Sequence, residues 1–303
     1  MPEPAQDPAA SGAKASGGLW RRIGAELPLR AAAAATLAAV ALIAAWAGGF
    51  LFLACWLLAS ALVLWEWQRL IGGERFLARL GVGALTLAAA SPFALQGSEK
   101  SALAALVLGA VLAGWVAGAD WRARLWSGAG VLYAGALMAS PVLLRASPAY
   151  GLAAILWLYA VVWATDSMAY FGGRLIGGPK LWPRVSPGKT WAGAVVGAAA
   201  GALVGAAVVG VLGVVGALSA PSSVRFAPFL ALGLAASIAA QLGDLFESAI
   251  KRRFGAKDSS RLIPGHGGMM DRLDSFVAAA AFAAIVGWWR ATGDWIASGL
   301  FQW

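Results

Sequence analysis

Three acidic side chains interrupt an otherwise apolar chain: Asp166, Asp244 and Glu247. A charge deep in an apolar span costs at least about 2.5–3.5 kcal/mol on insertion scales, so such residues persist mainly beside a partner, an ion or a water-filled cavity. Asp244, Glu247, Ser248 and Lys251 follow an i, i+3, i+4, i+7 spacing, which is one face of a helix. This face indicates a metal or proton site, and an interhelical salt bridge with Lys251 is the alternative.

The densest polar segment of the chain follows that face. Residues 251–275 hold six Lys or Arg, three Asp, the only histidine and several glycines. Arginine neutralises phosphate oxygens bidentately, and the N–H groups of a glycine-rich turn can line an anion site. Asp271 and Asp274 are hard oxygen donors suited to Mg²⁺. An ordinary positively charged loop accounts for the Lys and Arg, but not for the Asp, His266 and glycines placed among them.

The composition indicates that this chemistry occurs at a membrane. Of 303 residues, 60% are apolar and 12% charged, whereas soluble domains have about 45–50% apolar and about 25% charged residues. These values exclude a disordered chain and a disulfide scaffold, and they predict a polytopic membrane protein. Cys55 is the only cysteine and His266 is the only histidine. These counts exclude an intrachain disulfide and metal sites built on several Cys or His. On a membrane protein the net charge of +9 reports topology, so no nucleic-acid partner is expected.

The apolar runs predict an all-α fold with about nine transmembrane helices. Residues 31–65 carry no charge, and since one crossing needs about 20 residues, we divide this run near Gly48 and Gly49. Further spans are predicted at 80–95, 101–118, 126–144, 150–172, 191–218, 226–250 and 276–300.

The remaining segments predict the domain organisation. Residues 1–18 are small and polar and are expected to form a disordered cytoplasmic tail. The first apolar run begins too late and is too long for a secretory signal. We expect an N-terminal transmembrane region at 19–145 and a C-terminal catalytic region at 146–303. No polar segment is long enough to bury a core of its own, so no soluble domain is expected.

The distribution of Lys and Arg predicts the orientation. With the N-terminus inside, the cytoplasmic segments carry 19 of these residues, the opposite side carries three, and Arg290 lies in the last span. The positive-inside rule therefore predicts a cytoplasmic N-terminus and a C-terminus on the other side. It also predicts that the polar loops 173–190 and 251–275 both lie on the cytoplasmic face.

The loop at 251–275 and the helix end before it resemble the signature of the phosphatidate cytidylyltransferases, also called CDP-diacylglycerol synthases. The matching positions are Ser248, Ile250, Lys251, Arg252, Lys257, Asp258, Ser260, Pro264, His266, Gly267, Gly268, Asp271, Arg272 and Asp274. Gly243 and Asp244, which precede them, also look like that family.

The other polar loop is similar to a second motif of the same family. It begins with Asp166 and continues to the Ser186-Pro-Gly-Lys189-Thr190-Trp segment. Family members often carry Glu after that Trp, whereas this chain has Ala192, so no role is carried over to that position. The resemblance covers residues 160–275 closely.

The resemblance implies the reaction CTP + phosphatidate → CDP-diacylglycerol + pyrophosphate in a bacterial-type cytoplasmic membrane. The nucleophile is the anionic phosphate of the lipid, so catalysis is mainly positioning and charge neutralisation by metal ions and cations. By similarity to the family, Asp244 and Asp271 would hold Mg²⁺, with a monovalent ion such as K⁺ as an optional second ion. The partners implied are CTP, phosphatidate and membrane lipid, together with a second copy of the chain in a homodimer.

The roles of the other motif residues follow from the same resemblance. The cations expected at the phosphates of CTP and lipid are Lys251, Arg252, Lys257, Arg261 and Arg272. Asp258 and Asp274 are either further metal ligands or partners of those cations. His266 either contacts a phosphate and helps to protonate pyrophosphate, or makes a structural hydrogen bond in the loop.

The second motif leaves two further alternatives open. Ser186, Lys189 and Thr190 bind a substrate phosphate or cytidine, or form only a short interfacial turn. Asp166 either contacts a ligand-binding residue without touching the ligand itself, or is a buried hydrogen-bond partner. Ser248 is expected to contact substrate beside Asp244.

Two other functions are compatible with parts of the pattern. A CTP-dependent lipid kinase of the polyprenol type also needs cytidine nucleotide, metal and an interfacial lipid, but it would release CDP. An ion or proton transporter would use Asp166, Asp244 and Glu247, and it requires polar residues through the whole membrane depth. The sequence concentrates its polar residues at one face, which argues against the transporter.

Overall fold

The computed structural model describes residues 35–215, 226–263, 267–291, 293 and 295–303. In these ranges it is all-α with ten helices and one short β-hairpin. The helices are α1 (Ala35–Ala47), α2 (Gly49–Leu70), α3 (Phe76–Leu95), α4 (Glu99–Val116), α5 (Trp121–Arg145), α6 (Gly151–Leu175), α7 (Trp191–Val214), α8 (Phe226–Arg253), α9 (Met270–Arg290) and α10 (Ser298–Phe301). The hairpin consists of β1 (Lys180–Trp182) and β2 (Ser186–Thr190), which pair antiparallel.

Seven helices, α2 to α8, are long and apolar enough to cross a membrane, whereas the sequence predicted about nine spans. Helix α1, in the first half of the apolar run at 31–65, is too short in its described part to cross a membrane. Helix α9 begins in a charged turn and is not among the seven; it ends at Arg290 rather than continuing to 300. The predicted break at Gly48 and Gly49 is present, with positive φ angles of 65° and 52°. The predicted tail at 1–18 lies outside the described residues.

A stripe of glycines on α7 brings this helix close to α6. A Cβ added at Gly193 would lie 2.6 Å from the Ala169 carbonyl oxygen, and one at Gly197 would lie 2.8 Å from the Thr165 carbonyl oxygen. One turn further, Gly201 faces the Thr165 hydroxyl, which is 2.7 Å from the Ser237 hydroxyl of α8. The spacing of four residues keeps these glycines on one face and lets the backbones approach.

Helix α9 packs just as closely against α8. A Cβ at Gly243 would lie 2.5 Å from the Asp274 carbonyl oxygen and 2.6 Å from the Ala278 Cβ. This approach places the carboxylates of α8 directly beside the first turns of α9.

The charged ends of several helices meet at one end of the bundle. Glu66, near the end of α2, accepts hydrogen bonds from the first backbone N–H groups of α9. Trp126, in the second turn of α5, packs edge-on against Phe254 at the end of α8. The last half of α6 reaches the same place, because Ser275 of α9 donates to Asp166. The bundle therefore gathers the acidic spans and the polar loop at a single end.

Candidate active site

The β-hairpin between α6 and α7 positions Lys189. Its strands pair Lys180 with Thr190 and Trp182 with Ser186. The chain then enters α7 through Thr190, whose side-chain oxygen accepts a hydrogen bond from the Gly193 N–H at 3.1 Å. This capping satisfies one of the orphan N–H groups at the start of the helix and fixes the residue before it.

Lys189 forms the first ion pair of the site. Its Nζ lies 2.5 Å from Oδ2 of Asp244 on α8. The Ser248 hydroxyl, one turn along α8, is 3.4 Å from the other oxygen of Asp244. The side chains of Lys189 and Asp244 are 26% and 29% exposed, so this pair is reachable from outside the bundle.

Lys251 forms a second, more enclosed ion pair. Its Nζ lies 2.5 Å from Oδ1 of Asp271 and 2.6 Å from Oε2 of Glu247. The side chains of Lys251 and Asp271 are 11% and 10% exposed, and that of Glu247 is fully buried. One ammonium group thus lies between two carboxylates, which is the salt bridge with Lys251 expected from the sequence as the alternative to a metal or proton site.

The loop before α9 adds several donors to Asp271. Its carboxylate accepts from the Ser259 hydroxyl at 2.9 Å, from the Ser259 N–H and from the Gly268 N–H at 2.8 Å. Burial acts to raise the pKa of Asp271, but the hydrogen bonds from Lys251 and Gly268 outweigh it, so the pKa lies below its ordinary value. Asp271 is therefore held as a carboxylate.

Asp274 has the opposite electrostatic environment. Burial raises its pKa, and the nearby Asp244 carboxylate raises it further, to about 8. Its Oδ1 accepts from the Ser275 N–H at 2.7 Å, and the Ser275 hydroxyl donates to Asp166 at 3.2 Å. Asp166, Asp244 and Asp274 thus form an acidic cluster beside Lys189.

Glu66 belongs to this network and was missed in the sequence. It is fully buried and accepts from the Ser260 hydroxyl at 2.6 Å and from the N–H groups of Met269 and Met270 at 2.8 and 2.6 Å. The Ser259 hydroxyl is 3.2 Å from Glu66 and therefore bridges it to Asp271. The predicted span ended at residue 65, directly before Glu66, whereas α2 continues to Leu70. A carboxylate directly after an apolar run was the available signal, as it was for Asp244.

Several predicted site residues are exposed. The side chains of Lys257, Asp258 and Arg261 are exposed on the loop after α8, and Arg272 is exposed on α9. Arg252 turns toward the hairpin, where it donates to the Val185 carbonyl oxygen at 3.4 Å, and to the Ala256 carbonyl oxygen at 3.3 Å. His266 lies outside the described residues.

The three predicted hairpin residues have different surroundings. Thr190 is buried and caps α7. Lys189 points at Asp244 and joins the acidic cluster. Ser186 is half-buried on β2.

The donor set suits a magnesium ion that is held partly by its substrate. In the described ranges no group of three or more Asp, Glu, His or Cys side chains is arranged to hold a metal. Magnesium is commonly bound by one or two carboxylates together with waters and substrate phosphates. Asp244 fits this role best, because its carboxylate is partly exposed and has one lysine and one hydroxyl as partners. The side chain of Asp271 is less exposed, and it accepts hydrogen bonds from Lys251, Ser259 and Gly268.

Comparison with known proteins identifies the family. The cytidylyltransferase family model matches residues 28–289, which is most of the chain. The chain belongs to the cytidylyltransferase family. A protein named phosphatidate cytidylyltransferase from Brucella abortus biovar 1 (strain 9-941) is 52% identical over 169 residues.

Other relatives match a shorter stretch of the chain. Proteins with the same name from Haemophilus influenzae and Bacillus subtilis (strain 168) are 44% and 43% identical over 136 and 133 residues. The alignment with the Brucella protein covers 55% of this chain and 59% of that protein. The alignment with the Bacillus protein covers 44% of this chain and 46% of that protein. The chain therefore spans about half the length of the curated relatives it matches.

Proposed function

We propose that the protein is a phosphatidate cytidylyltransferase, which converts CTP and phosphatidate into CDP-diacylglycerol and pyrophosphate. The observation that carries the proposal is the meeting of two lysine–carboxylate pairs, Lys189–Asp244 and Lys251–Asp271, at one end of a bundle of apolar helices. The relatives named for this activity add support, because the family match includes every residue of both pairs.

The proposed reaction joins two phosphates. An oxygen of the phosphatidate phosphate attacks the α-phosphorus of CTP, and the bond from that phosphorus to the β-phosphate bridging oxygen breaks. Pyrophosphate leaves with the electron pair of that bond. Since the nucleophile is already an anion, the barrier is mainly the repulsion between two polyanions, which positioned cations reduce.

The residues of this chain supply those cations. Lys189 is partly exposed and lies beside the acidic cluster, where it is positioned to bind an incoming phosphate. Lys251 is enclosed and holds Asp271 and Glu247 in place, so we assign it a positioning role. The exposed cations Lys257, Arg261 and Arg272 are proposed to attract CTP and lipid phosphates at the mouth of the site.

A magnesium ion is proposed at Asp244, with Asp271 as the second predicted ligand. Bound there, Mg²⁺ would neutralise the charge on the transferring phosphoryl group. Lys189 neutralises Asp244 and Lys251 neutralises Asp271. Positive charge is therefore stable beside both carboxylates. Asp274 and Asp166 complete the acidic surface facing that position.

The site is proposed to face the cytoplasm. Most Lys and Arg of the described helix ends lie at the end of the bundle that holds Asp244, while Lys100, Arg145 and Arg290 lie at the other. By the positive-inside rule this end is cytoplasmic, where CTP is available. Phosphatidate stays in the bilayer because each buried CH₂ contributes about 0.8 kcal/mol. A homodimer remains a prediction of the family resemblance.

The activity is tested with purified protein, labelled CTP, phosphatidate and Mg²⁺. The expected products are CDP-diacylglycerol and pyrophosphate in equal amounts. A CTP-dependent lipid kinase would instead release CDP and add a phosphate to the lipid. Folded protein that makes no CDP-diacylglycerol would contradict the proposal.

The metal assignment is tested with Asp244→Asn and the matched control Glu74→Gln, which changes an exposed carboxylate at the same end of the bundle. Asp244→Asn is expected to lower kcat by at least about a hundredfold, because it removes a charge that acts on the transition state. Near-normal activity of Asp244→Asn over a range of Mg²⁺ concentrations would refute the assignment.

A further inference from the structure

A second cationic cavity lies at the same end of the bundle, outside the ion pairs described above. Its volume is about 410 Å³, and three arginines line it: Arg79 of α3, Arg122 of α5 and Arg253 of α8. Arg253 follows Lys251 by two residues, so the end of α8 has the candidate active site on one side and this cavity on another. Asp120 is the one acidic residue of its described lining.

Arg79 is the strongest indication that the cavity binds a ligand. Its side chain is only 2% exposed, although a guanidinium group stays charged at any physiological pH. Its Nη2 donates to the Gly72 carbonyl oxygen at 2.6 Å, while its Nε, also buried, has no hydrogen-bond partner in the described part of the chain. Buried charges in proteins are normally paired, and each buried N–H group normally has an acceptor. The buried charge of Arg79 therefore indicates that an anion binds beside it.

The one acidic residue of the cavity's described lining is already engaged with a helix. The N-terminus of α5, a helix of 25 residues, opens at Asp120, which caps it by accepting from the N–H groups of Arg122 and Ala123. The carboxylate of Asp120 is thus engaged with the helix. The three guanidinium groups of the described lining therefore outnumber its single, engaged carboxylate, and guanidinium groups bind phosphate in other proteins.

The surroundings of the cavity indicate the level of the lipid headgroups. Trp121 and Leu77, from the first turns of α5 and α3, are 65% and 78% exposed. Exposed Trp beside Arg is typical of the membrane–water interface. Trp126 lines the cavity and lies under Arg253, whose guanidinium carbon is 5.6 Å from the ring centroid. A cavity of this size, polar on one side and aromatic on the other, matches a phosphate with a short organic group attached.

We propose that this cavity binds a phosphate-bearing ligand, at a site separate from that of the transferase reaction. The phosphate belongs either to the headgroup of an anionic phospholipid or to a soluble phosphate. Arg79 binds it from the buried side, while Arg122 and Arg253 close over it from the exposed side.

The test measures binding to the full-length protein in detergent micelles. The probes are short-chain phosphatidylglycerol, short-chain phosphatidylcholine and inorganic phosphate, each titrated by calorimetry. The variant is Arg122→Gln combined with Arg253→Gln, since both side chains are exposed and tolerate replacement. The control is Arg69→Gln, an exposed arginine of α2 that lies over Trp65 and does not line the cavity.

The expected result is tight binding of phosphatidylglycerol and at least about a tenfold weakening per arginine removed in the double variant. Arg69→Gln should bind as the unmodified protein does. Binding of phosphatidylglycerol but not of inorganic phosphate identifies the lipid as the source, and equal binding of both identifies a soluble phosphate.

A further variant separates this site from the transferase site. Lys189→Gln is expected to leave the binding unchanged, because Lys189 lies beside Asp244 and not in the cavity. The proposal is overturned if the double variant binds as tightly as the unmodified protein, or if binding is lost only in Lys189→Gln. Neither result depends on whether the protein makes CDP-diacylglycerol.

Discussion

Glu66→Gln removes one charge from the network that joins α2 to the start of α9. Glu66 accepts from two serine hydroxyls and from the N–H groups of Met269 and Met270. Each carboxylate oxygen faces one hydroxyl and one backbone N–H. A hydroxyl can rotate to accept a hydrogen bond, but a backbone N–H cannot. In either orientation, the new amide NH₂ therefore points at an N–H group that has lost its acceptor.

The expected cost follows from these contacts. Leaving one buried N–H without an acceptor costs about 1–3 kcal/mol, and hydrogen bonds to a charged group contribute about 1.5–3 kcal/mol each, part of which is lost with the charge. We expect Glu66→Gln to lower the free energy of unfolding by about 2–4 kcal/mol. Transferase activity should also fall at least about tenfold, because the same loop donates to Asp271 through Ser259 and Gly268.

The assay compares Glu66→Gln with Glu74→Gln, an exposed carboxylate just beyond the end of α2. Both variants receive a measurement of the unfolding midpoint in mixed micelles and of CDP-diacylglycerol formation. Glu74→Gln should match the unmodified protein in both. If Glu66→Gln also matches the unmodified protein in both measurements, the Glu66 carboxylate does not hold the loop and our account of the network is wrong.

Other substitutions test the packing and the ion pairs. Gly197→Ala should lower stability by about 1–3 kcal/mol because its Cβ meets α6, whereas Gly81→Ala, in open space on α3, should raise it by up to about 1 kcal/mol; unfolding midpoints compare them. Thr190→Ala should cost about 1 kcal/mol and Thr190→Ser much less, measured in the same way. Lys251→Met should cost about 3–5 kcal/mol because it strands two buried carboxylates, while Lys189→Met should cost less stability but abolish product formation.

The sequence predicted the parts of the fold that depend on local apolar content. Seven of the expected spans correspond to helices long enough to cross a membrane, and the break at Gly48 is where the uncharged run required it. The limits of α9 were harder to predict. Its first turn carries charged residues of the candidate site, and Arg290 in its last turn donates to the carbonyl oxygens of Gly299 and Gln302. Such contacts depend on the fold and leave no periodic pattern.

The candidate site was predictable where residues close in sequence share a helix face. The spacing of Asp244, Glu247 and Lys251 predicted one face of α8, and these side chains do join the ion pairs. The partners of Asp271 were not predictable in the same way. Glu66 lies about two hundred residues before the loop it binds, and no local pattern connects the two. The hairpin that aims Lys189 at Asp244 likewise depends on tertiary contacts.

The hydrogen bonds from Met269 and Met270 to Glu66 span 203 and 204 residues of chain, which has a consequence for biogenesis. At about 5–20 residues per second, α2 is synthesised roughly 10–40 s before α9. During that interval its carboxylate has none of its final donors, and water or a proton must satisfy it at the membrane surface. Nascent chains that stop before α9 keep this unsatisfied group in α2. The arrival of α9 is therefore the step that supplies Glu66 with its final hydrogen-bond donors.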